Sequence, residues 1–151
     1  MSQLTATQPV LAYASSEHSV APSKAARWAG RVMSGLAALF LLMDAVMKFA
    51  KPEPVLKGTM ELGFSESVIV PLGVVLLVST LLYVFPRTAV LGAILLTGYL
   101  GGAVCTHVRV GNPLFSHVLF PTYLGVLIWG GLLLRDRRLR ALLPIRTNSR
   151  D

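Results

Sequence analysis

The stretch TAVLGAILLTGYLGGAVCTHV, residues 88–108, decides the fold because it contains no aspartate, glutamate, lysine or arginine. A helix rises about 1.5 Å per residue, so a segment of this length can cross a hydrocarbon layer about 30 Å thick. Three further apolar segments occupy residues 28–49, 68–85 and 117–134. The helices of a small soluble protein would instead carry a polar stripe along one face. Four such segments in 151 residues therefore predict an all-α polytopic membrane protein, a four-helix transmembrane bundle.

The basic residues lie mainly near the ends of these segments or outside them. A net charge of +7 could indicate nucleic-acid binding, but the positions of the charges favour the lipid bilayer as the partner and argue against nucleic acid. If all four segments cross, one side of the membrane holds 10 of the 14 lysines and arginines: Lys24, Arg27, Arg31, Arg87, Arg135, Arg137, Arg138, Arg140, Arg146 and Arg150. The other side holds Lys48, Lys51, Lys57 and Arg109. The positive-inside rule then predicts that both termini are cytoplasmic.

The domain organisation follows from composition. Residues 24–144 form a single transmembrane domain between a disordered cytoplasmic tail, residues 1–23, and a basic cytoplasmic tail, residues 145–151. Residues 54–63 are expected to form a short helix in the outer interface, which Gly63 would end.

Small residues predict how the segments pack, because helices in lipid gain contact by close approach of their backbones. In the first segment small residues recur at every fourth position, including Gly30 and Ser34. The third segment carries a similar ridge with Gly101, beside a GxxxG pair formed by Gly98 and Gly102. We therefore expect these two segments to pack together. The alternative is that one ridge forms a homodimer face, which leaves a homo-oligomer possible.

Polar residues within or beside the apolar segments are the candidates for function, since they are costly in lipid. Asp44 and Lys48 are spaced for an ion pair on one helix face, and the alternative is that this pair only neutralises itself. The predicted topology brings Asp44, Lys48, Arg109, His107, His117 and Glu61 to the outer end of the bundle, where they form a hypothetical ligand-binding site. Arg109 shares the face of Gly102, which is expected to point inward, so that it would meet Asp44. No catalytic residue can be assigned.

The sequence gives little support for a disulfide or a metal site. Cys105 is the only cysteine, so no internal disulfide can form, and its place among small residues indicates a packing role. The histidines and carboxylates match no recognised spacing of metal ligands, so no metal site is predicted.

Three stretches resemble one family. They are Asp44-Ala-Val-Met-Lys48, residues 91–109 and Trp129-Gly-Gly-Leu-Leu-Leu-Arg135, and they resemble the DoxX-like family of small bacterial membrane proteins. The resemblance covers residues 27–144. It implies a four-helix bundle that passes several times through the bacterial cytoplasmic (inner) membrane. The founding relatives are subunits of a thiosulfate:quinone oxidoreductase, and no agreed catalytic residues come with the resemblance.

Two classes of function stay open at this point. In the first, the protein is a small quinone-facing or anchoring subunit of a membrane redox system. A quinone is then a possible ligand, and the electron chemistry belongs to a partner subunit. In the second, the protein is not an enzyme but binds or passes a small solute or a lipid. No cofactor is evident from the sequence, which does not decide whether the chain is a catalyst.

Overall fold

The computed structural model describes residues 23–136 and Leu139, and these are helical with short connections. Five α-helices are present in this part of the chain: α1 (Lys24–Ala50), α2 (Glu53–Glu61), α3 (Ile69–Val84), α4 (Ala89–Arg109) and α5 (Phe120–Arg135). A 3-10 turn, Glu66–Val68, leads into α3, and a π-helical turn, Leu114–Val118, precedes α5. The predicted tails, residues 1–23 and 145–151, lie outside the described residues apart from Ser23.

The four long helices are the four predicted membrane segments. With their leading turns they span Lys24–Ala50, Glu66–Val84, Ala89–Arg109 and Leu114–Arg135, and each is long and apolar enough to cross a membrane. Their outward faces are apolar as well: Val32, Leu36 and Leu39 of α1 are between 51% and 67% exposed. Exposure of so much apolar surface is unfavourable in water but not in lipid. The predicted fold class, an all-α transmembrane four-helix bundle, is confirmed.

Local signals explain where the first two helices begin and end. Ser23 caps α1, because its Oγ accepts a hydrogen bond from the Ala26 N–H at 3.1 Å. Lys51 adopts a left-handed conformation at the end of α1, directly before Pro52. The short helix α2 agrees with the interfacial helix expected over residues 54–63. It is followed by Gly63, whose φ of 81° favours glycine.

The packing order of the bundle differs from the expected one. Helix α1 lies between α3 and α5, and α4 also packs against α3 and α5. Helices α1 and α4, the first and third membrane segments, are therefore diagonal to each other and not neighbours. The expectation that these two segments pack together is wrong. The connections are short enough to make consecutive helices antiparallel, and the fourth segment closes the ring beside the first.

The small residues of α1 pack against α5 instead. A Cβ atom placed on Gly131 would lie 2.5 Å from Ser34 Oγ, and one placed on Gly30 would lie 2.8 Å from the Gly131 carbonyl oxygen. Gly30 and Ser34 are thus packing residues, but their partner is a glycine of the last helix.

Three of the four glycines of α4 do not pack within the chain. Gly98, Gly101 and Gly102 are exposed, and a Cβ atom on any of them would meet no atom within 4 Å. Cys105, expected in a packing role, is exposed as well. The buried face of α4 lies opposite and is formed by Ala89, Gly92, Ala93, Leu96 and Leu100. The side of α4 that carries Gly101 and Gly102 was therefore wrongly expected to point inward, although Ala89 and Ala93 of the predicted ridge are buried.

The two ends of the bundle differ in chemistry. The Arg135 end contains the start of α1, the α3–α4 connection and the end of α5. Here the buried Tyr83 hydroxyl shares its proton between Ser34 Oγ at 2.8 Å and the Ile128 carbonyl at 3.0 Å, which joins three helices. The opposite end contains Lys48, the segment around α2 and the end of α4. We call it the Lys48 end, and it contains the candidate site.

Candidate ligand-binding site at the Lys48 end

A cavity of about 460 Å³ opens within the Lys48 end of the bundle. All four long helices contribute to its wall, and the segment after α1 contributes to its cover. The lining residues are Phe40, Leu41, Asp44, Lys48, Thr59, Leu62, Phe64, Leu72, Gly98, Tyr99, Leu100, Gly102, Ala103, Thr106, His107, Phe120, Pro121 and Leu124. Most of the wall is apolar, with a few polar groups. This combination is typical of sites that bind small organic ligands, whose volumes run from about 300 to 1,000 Å³.

One ion pair supplies the formal charges of the cavity wall. Lys48 Nζ lies 2.6 Å and 2.7 Å from the two carboxylate oxygens of Asp44, one helical turn away. Both side chains are partly buried, with exposures of 16% for Lys48 and 35% for Asp44. Each group offsets the cost that the other would have in an apolar wall. An ammonium group carries three N–H donors, so one donor remains for a ligand.

An aromatic group lines the cavity beside this pair. The rings of Phe40 in α1 and Phe120 in α5 meet edge to face, with centroids 5.3 Å apart. Tyr99 of α4 lines the same cavity as Asp44 and Lys48. The cavity therefore offers aromatic surface next to a hydroxyl and an ammonium group.

Two histidines lie side by side at the surface of the Lys48 end. The rings of His107 and His117 meet edge to face at 5.8 Å between centroids. His107 Nδ1 lies 2.8 Å from Asn112 Nδ2, and His117 Nδ1 lies 2.8 Å from Ser116 Oγ. These contacts fix the orientation of both rings. Only His107 lines the cavity, and His117 is exposed behind it.

Three residues that line the cavity, Gly98, Gly102 and Phe120, are themselves exposed. We infer from this exposure that the cavity opens on the side of α4, beside the start of α5. Gly102 is seven residues before Arg109, which places it about 10 Å along the helix axis from the end of α4. Gly98 lies one turn deeper. The opening is therefore at the depth of the apolar span, where the bundle faces lipid.

Arg109 lies outside the cavity. It donates a hydrogen bond from Nη2 to the Leu62 carbonyl at 2.5 Å, and its guanidinium carbon lies 6.0 Å from the centre of the Phe64 ring. Within the described part of the chain, no ion pair joins Arg109 to Asp44. The prediction that Arg109 contacts Asp44 is wrong. The helices that carry the two residues lie diagonally across the bundle, and the Arg109 side chain contacts Leu62 and Phe64 instead.

The other predicted site residues also fall into two groups, those at the cavity and those away from it. The structure brings Asp44, Lys48 and His107 to one cavity and places His117 next to His107. Glu61 is exposed near the end of α2 and does not line the cavity. Tyr99 lines the cavity but was not among the predicted residues, although a signal was present: Tyr99, Ala103 and His107 are spaced by four and so share one face of α4. Phe40 and Phe120 were not predicted either, because they look like ordinary lipid-facing residues in an apolar segment.

Comparison with known proteins identifies the class. The chain matches the model of the DoxX-like family over residues 32–131. The match covers most of the chain, and the protein belongs to this family of membrane proteins. Comparisons with curated proteins and with solved structures gave no match.

Proposed function

We propose that this protein binds the head group of a membrane quinone in the cavity at the Lys48 end. It would act as a small quinone-facing subunit of a redox system in the bacterial cytoplasmic membrane, with the Lys48 end outside and both termini in the cytoplasm. The observation that carries the proposal is the exposure of Gly98 and Gly102 in the cavity wall, which indicates an opening there. A ligand that enters there comes from the lipid phase, so it must itself be lipid-soluble.

The charges of the cavity favour a neutral head group. Lys48 is already paired with both oxygens of Asp44, and Arg109 is bound to a backbone carbonyl. An anionic phospholipid head would require an unpaired cation. A quinone is neutral and carries two carbonyl oxygens, which can accept hydrogen bonds from the third donor of Lys48 and from the Tyr99 hydroxyl. The rings of Phe40 and Phe120 supply apolar surface for its ring.

Electron transfer is assigned to a partner subunit in this proposal. Reduction of a quinone to a quinol takes two electrons in total, and the single cysteine of this chain cannot form an internal dithiol that would deliver them. The founding members of the family, as subunits of a quinone-linked oxidoreductase, point to the same division of labour. The protein would hold and orient the quinone while the partner carries out the redox step.

Passage of a solute through the bundle is less well supported than binding. Between the cavity and the Arg135 end the core is filled by Leu76, Leu96, Ile128 and Leu132, each no more than 1% exposed. The hydrogen bonds of Tyr83 close the bundle below them. The cavity is therefore closed toward the Arg135 end, which suits a binding site.

The proposal is tested by titrating the purified protein in mild detergent with a short-chain ubiquinone or menaquinone and measuring the dissociation constant. Asp44→Asn should weaken binding roughly tenfold or more, because Lys48 loses the partner that orients it, and tenfold corresponds to about 1.4 kcal/mol. The matched control is Glu53→Gln, which removes the carboxylate of the exposed Glu53–Lys57 pair, 2.7 Å apart on α2.

Three results would count against the proposal. The wild-type protein could fail to bind either quinone, or Asp44→Asn and Glu53→Gln could have the same effect. A phospholipid that stays bound through purification and occupies the cavity would identify a lipid-binding protein instead.

A further inference from the structure

We infer that residues 52–65 form a lid over the cavity and that Arg109 is the positioning residue that holds this lid closed. The lid would separate the head of a bound ligand from water at the Lys48 end. The identity of the ligand rests on the proposed function, but the lid and its latch are argued from the described contacts alone.

The lid covers the cavity without being part of the core. Thr59, Leu62 and Phe64 line the cavity from this segment. No residue between positions 52 and 68 is fully buried, in contrast to each of the four long helices. A segment with little buried apolar surface gains little from the hydrophobic effect and opens at low free-energy cost. Its closed position therefore depends on specific polar contacts.

Arg109 supplies the main contact of this kind. Its guanidinium donates to the carbonyl of Leu62 and lies over the ring of Phe64, so one side chain holds two lid residues that line the cavity. The contact requires the glycine between them. A Cβ atom on Gly63 would lie 3.0 Å from Arg109 Nη2, and the φ of 81° disfavours a larger residue.

A second polar contact closes the base of the lid. Lys51 Nζ lies 3.1 Å from Glu66 Oε1, and these residues flank the segment on either side. Both groups are partly exposed, as is the hydrogen bond of Arg109, so solvent weakens both contacts. The lid is thus a loop tied at its base and latched near its tip.

The arrangement gives the cavity two separate boundaries. The opening at Gly98 and Gly102 faces lipid and stays open when the lid is closed. The lid faces the aqueous side. A lipid-soluble ligand can then enter from the bilayer, while a water-soluble reactant or a docking partner reaches its head group only when Arg109 releases the lid.

Hydrogen–deuterium exchange in detergent tests the latch without any ligand. The amides of Leu62, Gly63 and Phe64 donate to carbonyls of the lid itself, those of Gly58, Met60 and Thr59, so their exchange reports loosening of the turn that Arg109 contacts. Arg109→Gln should speed their exchange several-fold, because the hydrogen bond that it removes is charged but exposed. Arg109→Lys keeps the charge but loses the planar fork of donors, so its exchange rates should fall between those of the wild type and Arg109→Gln. The control Lys57→Gln removes an exposed lid cation and should leave the rates unchanged.

Two exchange results would contradict this role of Arg109. If Arg109→Gln exchanges at the wild-type rate in residues 59–64, Arg109 does not hold the lid. If exchange rises equally in α3 and α4 and the melting temperature drops, Arg109 supports the whole bundle and the positioning role is wrong.

A second measurement links the lid to the proposed quinone. Dithionite in the aqueous phase supplies two electrons and water supplies two protons, which convert the bound quinone to quinol. Arg109→Gln should speed this reduction several-fold, with a dissociation constant close to that of the wild type. Unchanged reduction rates despite faster lid exchange would mean that the lid does not control access. If the wild type binds no quinone, the quinone proposal fails while the exchange experiment still decides the latch.

Discussion

At the scale of single residues, Gly101 and Gly102 are neighbours with different surroundings. Both are exposed and have open space around the position of a Cβ atom, but only Gly102 borders the cavity. Gly102→Leu should therefore narrow the opening and slow quinone binding several-fold, with little effect on stability. Gly101→Leu places the same side chain in lipid and should leave binding unchanged. Stopped-flow binding kinetics and melting temperatures of both variants in detergent check this. Equal slowing in the two variants would contradict entry beside Gly102.

The candidate site shows which residues can be predicted from sequence. Asp44, Lys48 and His107 could be identified because charged and polar groups are costly in lipid and so stand out. Arg109 was identified for the same reason, but its contacts could not be predicted. Its role depends on which helix lies beside α4 and on the path of residues 52–65, and neither leaves a pattern in the sequence. Phe40 lines the cavity only because α5 brings Phe120 against it.

At the scale of helices, α1 and α5 approach each other closely. A Cβ atom on Gly131 would lie 2.8 Å from the Ser34 backbone nitrogen and 3.0 Å from the Gly30 carbonyl, so these backbones would have to separate. Gly131→Ala should lower the free energy of unfolding by about 1–3 kcal/mol, the usual cost of overpacking. Gly125→Ala is the matched control, because a Cβ atom there meets nothing within 4 Å on the same helix. Denaturation in mixed micelles measures both. Equal stability of the two variants would contradict the α1–α5 contact.

The pairing of helices shows the limit of sequence patterns in a membrane bundle. Spacing of small residues identified Gly30 and Ser34 as a close-packing surface, but it could not select their partner. Glycines that could have been partners were available in both α4 and α5. Apolar side chains gain little by leaving lipid, so the side that faces lipid has no distinct composition. In a soluble bundle the polar face of α4 would have revealed its orientation.

At the scale of the whole molecule, the charges divide between the two ends of the bundle. The α3–α4 connection carries Arg87, and α5 ends at Arg135, so both lie at the Arg135 end with the start of α1. Lys57 lies in the lid at the opposite end. Because basic residues near membrane segments remain on the cytoplasmic side, we expect the Arg135 end inside and the cavity facing outward.

Reporter fusions test this orientation directly. A reporter joined after Arg87 or Arg140 should be active in its cytoplasmic form, and one joined after Lys57 should be active only in its exported form. Single cysteines provide a check on the intact chain once Cys105 is replaced by serine. Lys57→Cys should react with a membrane-impermeant maleimide in whole cells, and Arg87→Cys should react only after the cells are opened. Labelling of Arg87→Cys in whole cells, with Lys57→Cys protected, would invert the orientation. The lid and the candidate quinone site would then face the cytoplasm, and the soluble reactants that reach the quinone head would have to be cytoplasmic as well.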